Sequence, residues 1–213
     1  MEIQPLSIIP LVLELTAAIL ATIYFGKYKE STEKFFLYFL WYTFMVELLG
    51  AYLGYVADVK NFWLYNAFTI TSFLFYFYWY HSILESQLFK RLVFLLSAIF
   101  LIVAAWSLVY QSWVEYHKFT FITGALSVLI LTLFHFYQLL NSDEVLIVKY
   151  KLSFWISTAL LLFYMGMIPL FSLSGYIEFR GLSYLVILLI LNSILYGCYS
   201  IGFIWTKKKY NRF

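Results

Sequence analysis

Charge is what this sequence has least of. Only 12% of its 213 residues are Asp, Glu, Lys or Arg, about half the share of a soluble globular domain, and the mean hydropathy is +0.85. That scarcity excludes an ordinary water-soluble domain and points to a chain threaded repeatedly through a bilayer. Cysteine is nearly absent too. Cys198 stands alone, so there is no internal disulfide and no cysteine metal cluster. The opening stretch MEIQPLSIIP carries an acid and no basic residues ahead of its apolar run, so it does not read as a secretory signal.

Apolar length is what the sequence has instead. Segments near 6–25, 35–57, 62–84, 92–111, 119–140, 152–174 and 181–205 each approach the roughly 20 residues that a bilayer crossing requires. The expected fold is an all-α integral membrane protein, a seven-transmembrane helix bundle occupying 1–213 as a single domain, with no soluble domain. Basic residues orient it. The first, third and fifth connections and the tail hold Lys27, Lys29, Lys34, Lys90, Arg91, Lys149, Lys151, Lys207, Lys208, Lys209 and Arg212. The other face has Lys60, Lys118 and Arg180. The positive-inside bias places the N-terminus outside and the C-terminus in the cytoplasm, with the protein in the cell membrane. The connections are short, so a sensor of this design would need a separate polypeptide for its output.

None of the 14 basic side chains falls inside a proposed span, which excludes a retinal Schiff-base lysine and voltage-sensing arginines. Two acids do fall inside, Glu14 and Glu47. By helical rise they lie about 12 Å and about 15 Å below the outer ends of their helices, near the middle of a core about 30 Å thick. Glu14 shares a face with Ser7, Ala17, Ala18 and Ala21, and Glu47 with Thr43, Gly50, Ala51 and Gly54. Small residues let helix backbones approach closely, so both faces are expected to meet protein, with the two carboxyls near each other. Two ionised carboxylates cannot persist side by side in an apolar core without cations, so at least one is expected to hold a proton or a cation. Intramembrane acids are candidates for proton coupling, cation binding or capture of a ligand amine. The competing reading is hydrogen-bonded glue between helices.

Other polar side chains extend the candidate set. The seventh segment offers Asn192 and Tyr196, with Ser200 below them, and the third carries Asn66, Thr69, Tyr76 and Tyr80 within a stripe of about 80°. The candidate ligand- or ion-binding residues are therefore Glu14, Glu47, Asn192, Tyr196, Asn66, Tyr76 and Tyr80. The fifth segment carries Thr132, His135 and Gln138 on one side. His81 and His135 have matching expected depth, as a bis-histidine haem or a metal would need. They lack a neighbouring carboxylate or cysteine, and a closed zinc site needs four ligands, so no metal and no cofactor is expected. His117 falls in an outer loop. In the aromatic run FLFYFYWYH (73–81), Phe75, Tyr78 and Trp79 are expected to face lipid as an interfacial belt, and Phe73, Tyr76 and Tyr80 the bundle.

LGYVADVKNF (53–62) and SGYIEFRGLS (174–183) share a Gly-Tyr-aliphatic corner four crossings apart, a spacing that suits two parallel three-helix units joined by a fourth helix. That layout resembles the SWEET sugar porters and the KDEL receptors. Their prolines and PQ-type motifs are absent, since Pro10 and Pro169 are the only prolines in the proposed spans, and no residue is carried over from either family.

The sequence has no Ser-His-Asp set, no HxxxH cluster, no G-x-S-x-G and no phosphate-binding glycine loop. Three classes of function remain. One is a receptor-like sensory or accessory signalling module acting through a separate cytoplasmic partner. Another is a small transporter or channel for a proton, cation or solute, oligomeric effectors included, using the Glu pair. The third is an intramembrane lipid-modifying enzyme with the pair as acid and base. Expected partners are membrane lipids and either a cytoplasmic signalling protein or further copies of the chain; nucleic acid is not among them.

Overall fold

The computed structural model describes residues 8–142, 145–172 and 182–211. Every regular element among them is helical: α1 (Ile8–Ile23), α2 (Lys34–Ala51), α3 (Phe62–Ile83), α4 (Gln87–Tyr110), α5 (Lys118–Leu140), α6 (Leu152–Ser172) and α7 (Leu182–Trp205). Five are long and apolar enough to cross a membrane: α2 continued to Val56, α4, α5, α6, and α7 from Ser183. α3 has the length, at 22 residues, but its tyrosines, tryptophans and Asn66 lower its hydropathy. α1 runs for 16 described residues. The outward faces fit a multi-pass membrane protein. α4, for example, presents Phe94, Leu95 and Ile102, the last 70% exposed, a contiguous apolar surface that lipid covers and water does not.

α4 starts at Gln87, earlier than the sequence pattern indicates, so Lys90 and Arg91 lie within a helix, near its start. Lys34 and Lys118 open α2 and α5. The helices outrun their apolar stretches because long basic side chains can leave the hydrocarbon while their stems stay against the helix. α2 ends in a π-helical turn over Tyr52–Val56, and Asn61 Nδ2 donates to the Gly50 carbonyl at 2.7 Å just before that turn. The chain then reverses through Asp58, whose φ of 50° is a left-handed conformation that Asp tolerates better than most residues. The second of the two Gly-Tyr corners lies almost wholly outside the described residues.

α1 packs on α2 and α7, α3 on α2 and α5, and α6 on α5 and α7, closing a ring of six helices. α4 lies outside the ring against α3 and α5. The interior is filled by aromatic rings, with Phe73, Tyr76, Tyr164 and Tyr199 all at or below 5% exposure. Gly124 on α5 makes room for the Phe73 ring, which a Cβ there would strike.

The aromatic run needs one correction. Tyr78 does face outward, at 54% exposure, but Trp79 is fully buried, its ring 5.0 Å from Phe36 of α2. Phe75 stacks on Phe39 at 4.3 Å. α3 is covered by α2 on one side and by α4 and α5 on others, so its buried arc is wider than one polar stripe.

The two ends of the bundle differ. At one end Lys27 Nζ donates to the Ile204 carbonyl at 2.6 Å, Glu30 pairs with Lys208 at 3.0 Å, and the Lys207 N–H donates to the Tyr150 carbonyl at 3.1 Å. These contacts gather the α1–α2 and α5–α6 connections and the segment after α7 into one basic end. At the opposite end the α4–α5 connection folds back into the bundle. Asn66 Nδ2 donates to the Glu115 carbonyl at 2.9 Å and Asn66 Oδ1 accepts the His117 N–H at 3.0 Å, while the Tyr116 and Thr69 hydroxyls lie 2.9 Å apart. His117 is 2% exposed while Trp113 and Val114 are more than half exposed, so the connection is a surface loop whose last residues, Tyr116 and His117, plug the end of the bundle.

Candidate functional site

α1 is apolar except for Glu14, Thr16 and Thr22, and it buries one narrow face made of Glu14, Ala17, Ala18 and Ala21, as the sequence spacing predicts. The three alanines let α2 and α7 close over the helix and leave Glu14 at 4% exposure. Its Oε1 accepts the Tyr196 hydroxyl at 2.8 Å. Its Oε2 is equally buried and has no partner in the chain. Glu47, half-buried on the facing side of α2, accepts the Tyr65 hydroxyl on Oε2 at 3.2 Å. The two carboxyls are near enough for their charges to act on each other, and both act on Tyr65 and Tyr196. Four oxygen-bearing side chains from α1, α2, α3 and α7 therefore converge inside the ring.

No family model, curated protein or solved structure matches the chain. What this group of side chains can do must therefore be read from its own chemistry.

Tyr65 is the member that periodicity missed, because it lies off the polar stripe of α3. The signal for it was Gly50. A Cβ at Gly50 would collide with the Tyr65 hydroxyl, so the glycine makes space for the phenol that reaches Glu47. The glycines of α2 were expected to bring a neighbouring backbone close; Gly50 instead receives a tyrosine, and Gly54 faces the Asn61 amide. Gly50→Ala should push Tyr65 off Glu47 and cost about 1–3 kcal/mol by overpacking. Thermal unfolding in detergent measures this. Combined with Tyr65→Phe, the two losses should not add, because they remove the same contact.

The remaining candidates fall elsewhere. Asn192 is half-buried and its amide donates to Leu188 of its own helix at 2.8 Å, so it stands outside the group. Asn66 fastens the α4–α5 plug. Tyr76 lies in the ring interior beside Tyr164 and Tyr199. The Tyr80 hydroxyl meets Thr132 at 2.6 Å and Ser157 at 3.4 Å, and Ser157 is 2.8 Å from His135 Nδ1.

His81 and His135 are not brought together: the His81 ring packs on Phe94 of α4 at 4.9 Å, while His135 points at α6. Among the described residues no three His, Cys, Asp or Glu side chains gather as metal ligands. Ser157 and His135 form a hydroxyl–imidazole pair that sequence order did not signal, but both are buried. They connect α5 to α6 as a buried polar link.

Proposed function

We propose that the protein is a small proton-coupled transporter or channel that spans the membrane seven times, N-terminus outside and basic end in the cytoplasm, and passes protons through Glu14 and Glu47. The observation that carries this reading is the meeting of two carboxyls inside the ring, with one Glu14 oxygen left without a protein partner. A buried polar atom in that state calls for a partner outside the chain's own hydrogen bonds, and a proton or a water supplies one. A proton suits the site better than a multivalent cation. Each phenol already donates to a carboxylate oxygen, which leaves one uncommitted oxygen on each carboxyl against the six or more oxygens that Ca²⁺ takes, and each carboxyl can bind or release a proton. The orientation rests on the concentration of lysines at the end where α1, α3, α5 and α7 all close.

A receptor-like module acting through a cytoplasmic partner is the second reading. The observation that favours it is that Lys27 and Glu30 tie the α1–α2 turn to the end of α7. A change at the Glu14–Tyr196 contact would then be felt at the basic surface.

Reconstitution separates the two. Vesicles containing the purified protein and an internal pH dye, energised by a potassium gradient and valinomycin, should acidify faster than protein-free vesicles. Equal rates would overturn the proton reading. An acceleration that requires added sodium or another cation would move the site to that ion.

A further inference from the structure

Glu33, the residue before α2, carries a further buried carboxyl, in the connection whose Lys27, Lys29 and Lys34 help orient the chain. It is 1% exposed; the Ser31 hydroxyl and its own backbone N–H lie close enough to act on it, but neither carboxylate oxygen has a well-formed hydrogen bond. The local hydroxyls are committed elsewhere: Ser31 donates to the Tyr28 carbonyl at 2.9 Å and Tyr28 to the Ala21 carbonyl at 2.6 Å. Lys151, ahead of α6, is the cation whose charge reaches it. Burial holds the Glu33 carboxyl above the ordinary glutamate value of 4.5.

Glu33 is also in line with the pair. Fourteen residues separate it from Glu47, which at 100° per residue returns to within about 40° of the same face, about 21 Å along α2. Phe36, Leu40 and Thr43 fill that face between them and are buried.

Around Phe36, one turn above Glu33, lie two further buried polar atoms. The Trp79 indole N–H is fully buried and unpaired, and the Tyr199 hydroxyl, equally buried, has the Tyr76 hydroxyl as its neighbour. Their rings lie 5.0 Å and 6.0 Å from the Phe36 ring, and the Tyr199 ring is 6.1 Å from Tyr196, which donates to Glu14. Phe36, one turn from Glu33, thus has an indole donor and a phenol ring against it, and that phenol ring lies next to Tyr196 of the site.

We infer that Glu33 is the proton-access group of the basic end, exchanging protons with Glu14 through water held by the Trp79 N–H and the Tyr199 and Tyr196 hydroxyls. A proton entering from the basic side binds the Glu33 carboxylate. As it leaves, a neighbouring water takes it and gives one up to the next hydroxyl, so each oxygen that gains a proton releases one. The Trp79 N–H orients the water and transfers nothing. Lys151 on the α6 side, Tyr28 in the α1–α2 turn, Tyr76 and Tyr199 on α3 and α7, and Tyr80 and His135, whose rings lie 4.7 Å and 6.3 Å from Trp79, are the other titratable groups around this path; the Glu30–Lys208 pair lies at the same end of the bundle.

This inference rests on the proton reading of the pair, and the same vesicle assay separates their failures. Glu33→Gln should lower the parent rate on the order of 100-fold, as removal of a proton-transfer group does, and Glu33→Asp should restore much of it. A Glu33→Gln variant as fast as the parent, with Glu14→Gln slow, would overturn the access role and leave the pair intact. A parent no faster than protein-free vesicles would overturn both.

A second measurement does not depend on the carboxyl variant folding. Deuterium exchange of the Trp79 indole N–H, followed by ultraviolet Raman against Trp79→Phe, should be fast despite its burial. A Trp79 N–H that resists exchange as long as the core backbone amides would overturn the hydrated path. The carboxyl itself should be visible in stability. A group held protonated by the fold contributes fully below 4.5 and loses that contribution as pH rises through its folded value. The parent's melting temperature should therefore fall over that range more steeply than that of Glu33→Gln; coincident profiles would overturn the site.

Discussion

Glu14→Gln should stop proton movement while leaving the bundle assembled. The rate is expected to fall on the order of 100-fold or more, toward that of protein-free vesicles, with unfolding in detergent close to the parent's. Glutamine has nearly the same shape, and its amide oxygen can still accept the Tyr196 hydroxyl that reaches Oε1 at 2.8 Å. Its NH₂ would replace Oε2, the atom with no partner in the chain, so no existing contact is lost. Only the exchangeable proton is removed. Glu47→Gln should behave alike, because its oxygen can keep the Tyr65 contact. If the pair were glue, the order would reverse: Tyr196→Phe and Tyr65→Phe would weaken the fold, and the amide variants would match the parent in every assay.

The largest loss of stability is expected from Asn66→Leu, about 2–4 kcal/mol. Asn66 is 2% exposed and holds two backbone groups of the plug, the His117 N–H and the Glu115 carbonyl. Leucine fills the volume but strands both groups, and an unpaired buried donor or acceptor costs about 1–3 kcal/mol. Asn66→Asp keeps the acceptor for His117 and loses the donor to Glu115, so its loss should be intermediate. Thermal unfolding reads the magnitude, and proteolysis between Ser112 and His117 reads the location. A parent-like Asn66→Leu with a protected plug would show that the connection is held some other way.

Asn66 also shows where legibility ended. Its place on the inner stripe of α3 with Thr69, Tyr76 and Tyr80 follows from the 3.6-residue period, and so does the burial of Glu14 with its three alanines. Periodicity identifies the face and not the partner. Nothing in the sequence pairs Asn66 with a connection 49 residues away, or Asn192 with its own helix. Trp79 was assigned to lipid because one stripe was taken as the buried side, whereas a helix with α2, α4 and α5 around it has no single inner stripe. Glu33 escaped because it lies between two apolar spans among Lys27, Lys29, Glu30 and Lys34, where no apolar periodicity marks a buried face. That the turn folds under α1 and α7 depends on the Lys27 and Glu30 contacts with the end of α7, which no local pattern encodes.

The most direct test of a protonatable carboxyl pair is infrared difference spectroscopy of the lipid-reconstituted protein between two pH values. The parent should show a carboxylic C=O band that titrates and shifts in deuterated buffer. Glu14→Gln and Glu47→Gln should each remove or move part of that band, since the two carboxyls act on each other. A parent spectrum that superimposes on that of the double amide variant would contradict the pair as a site of proton exchange.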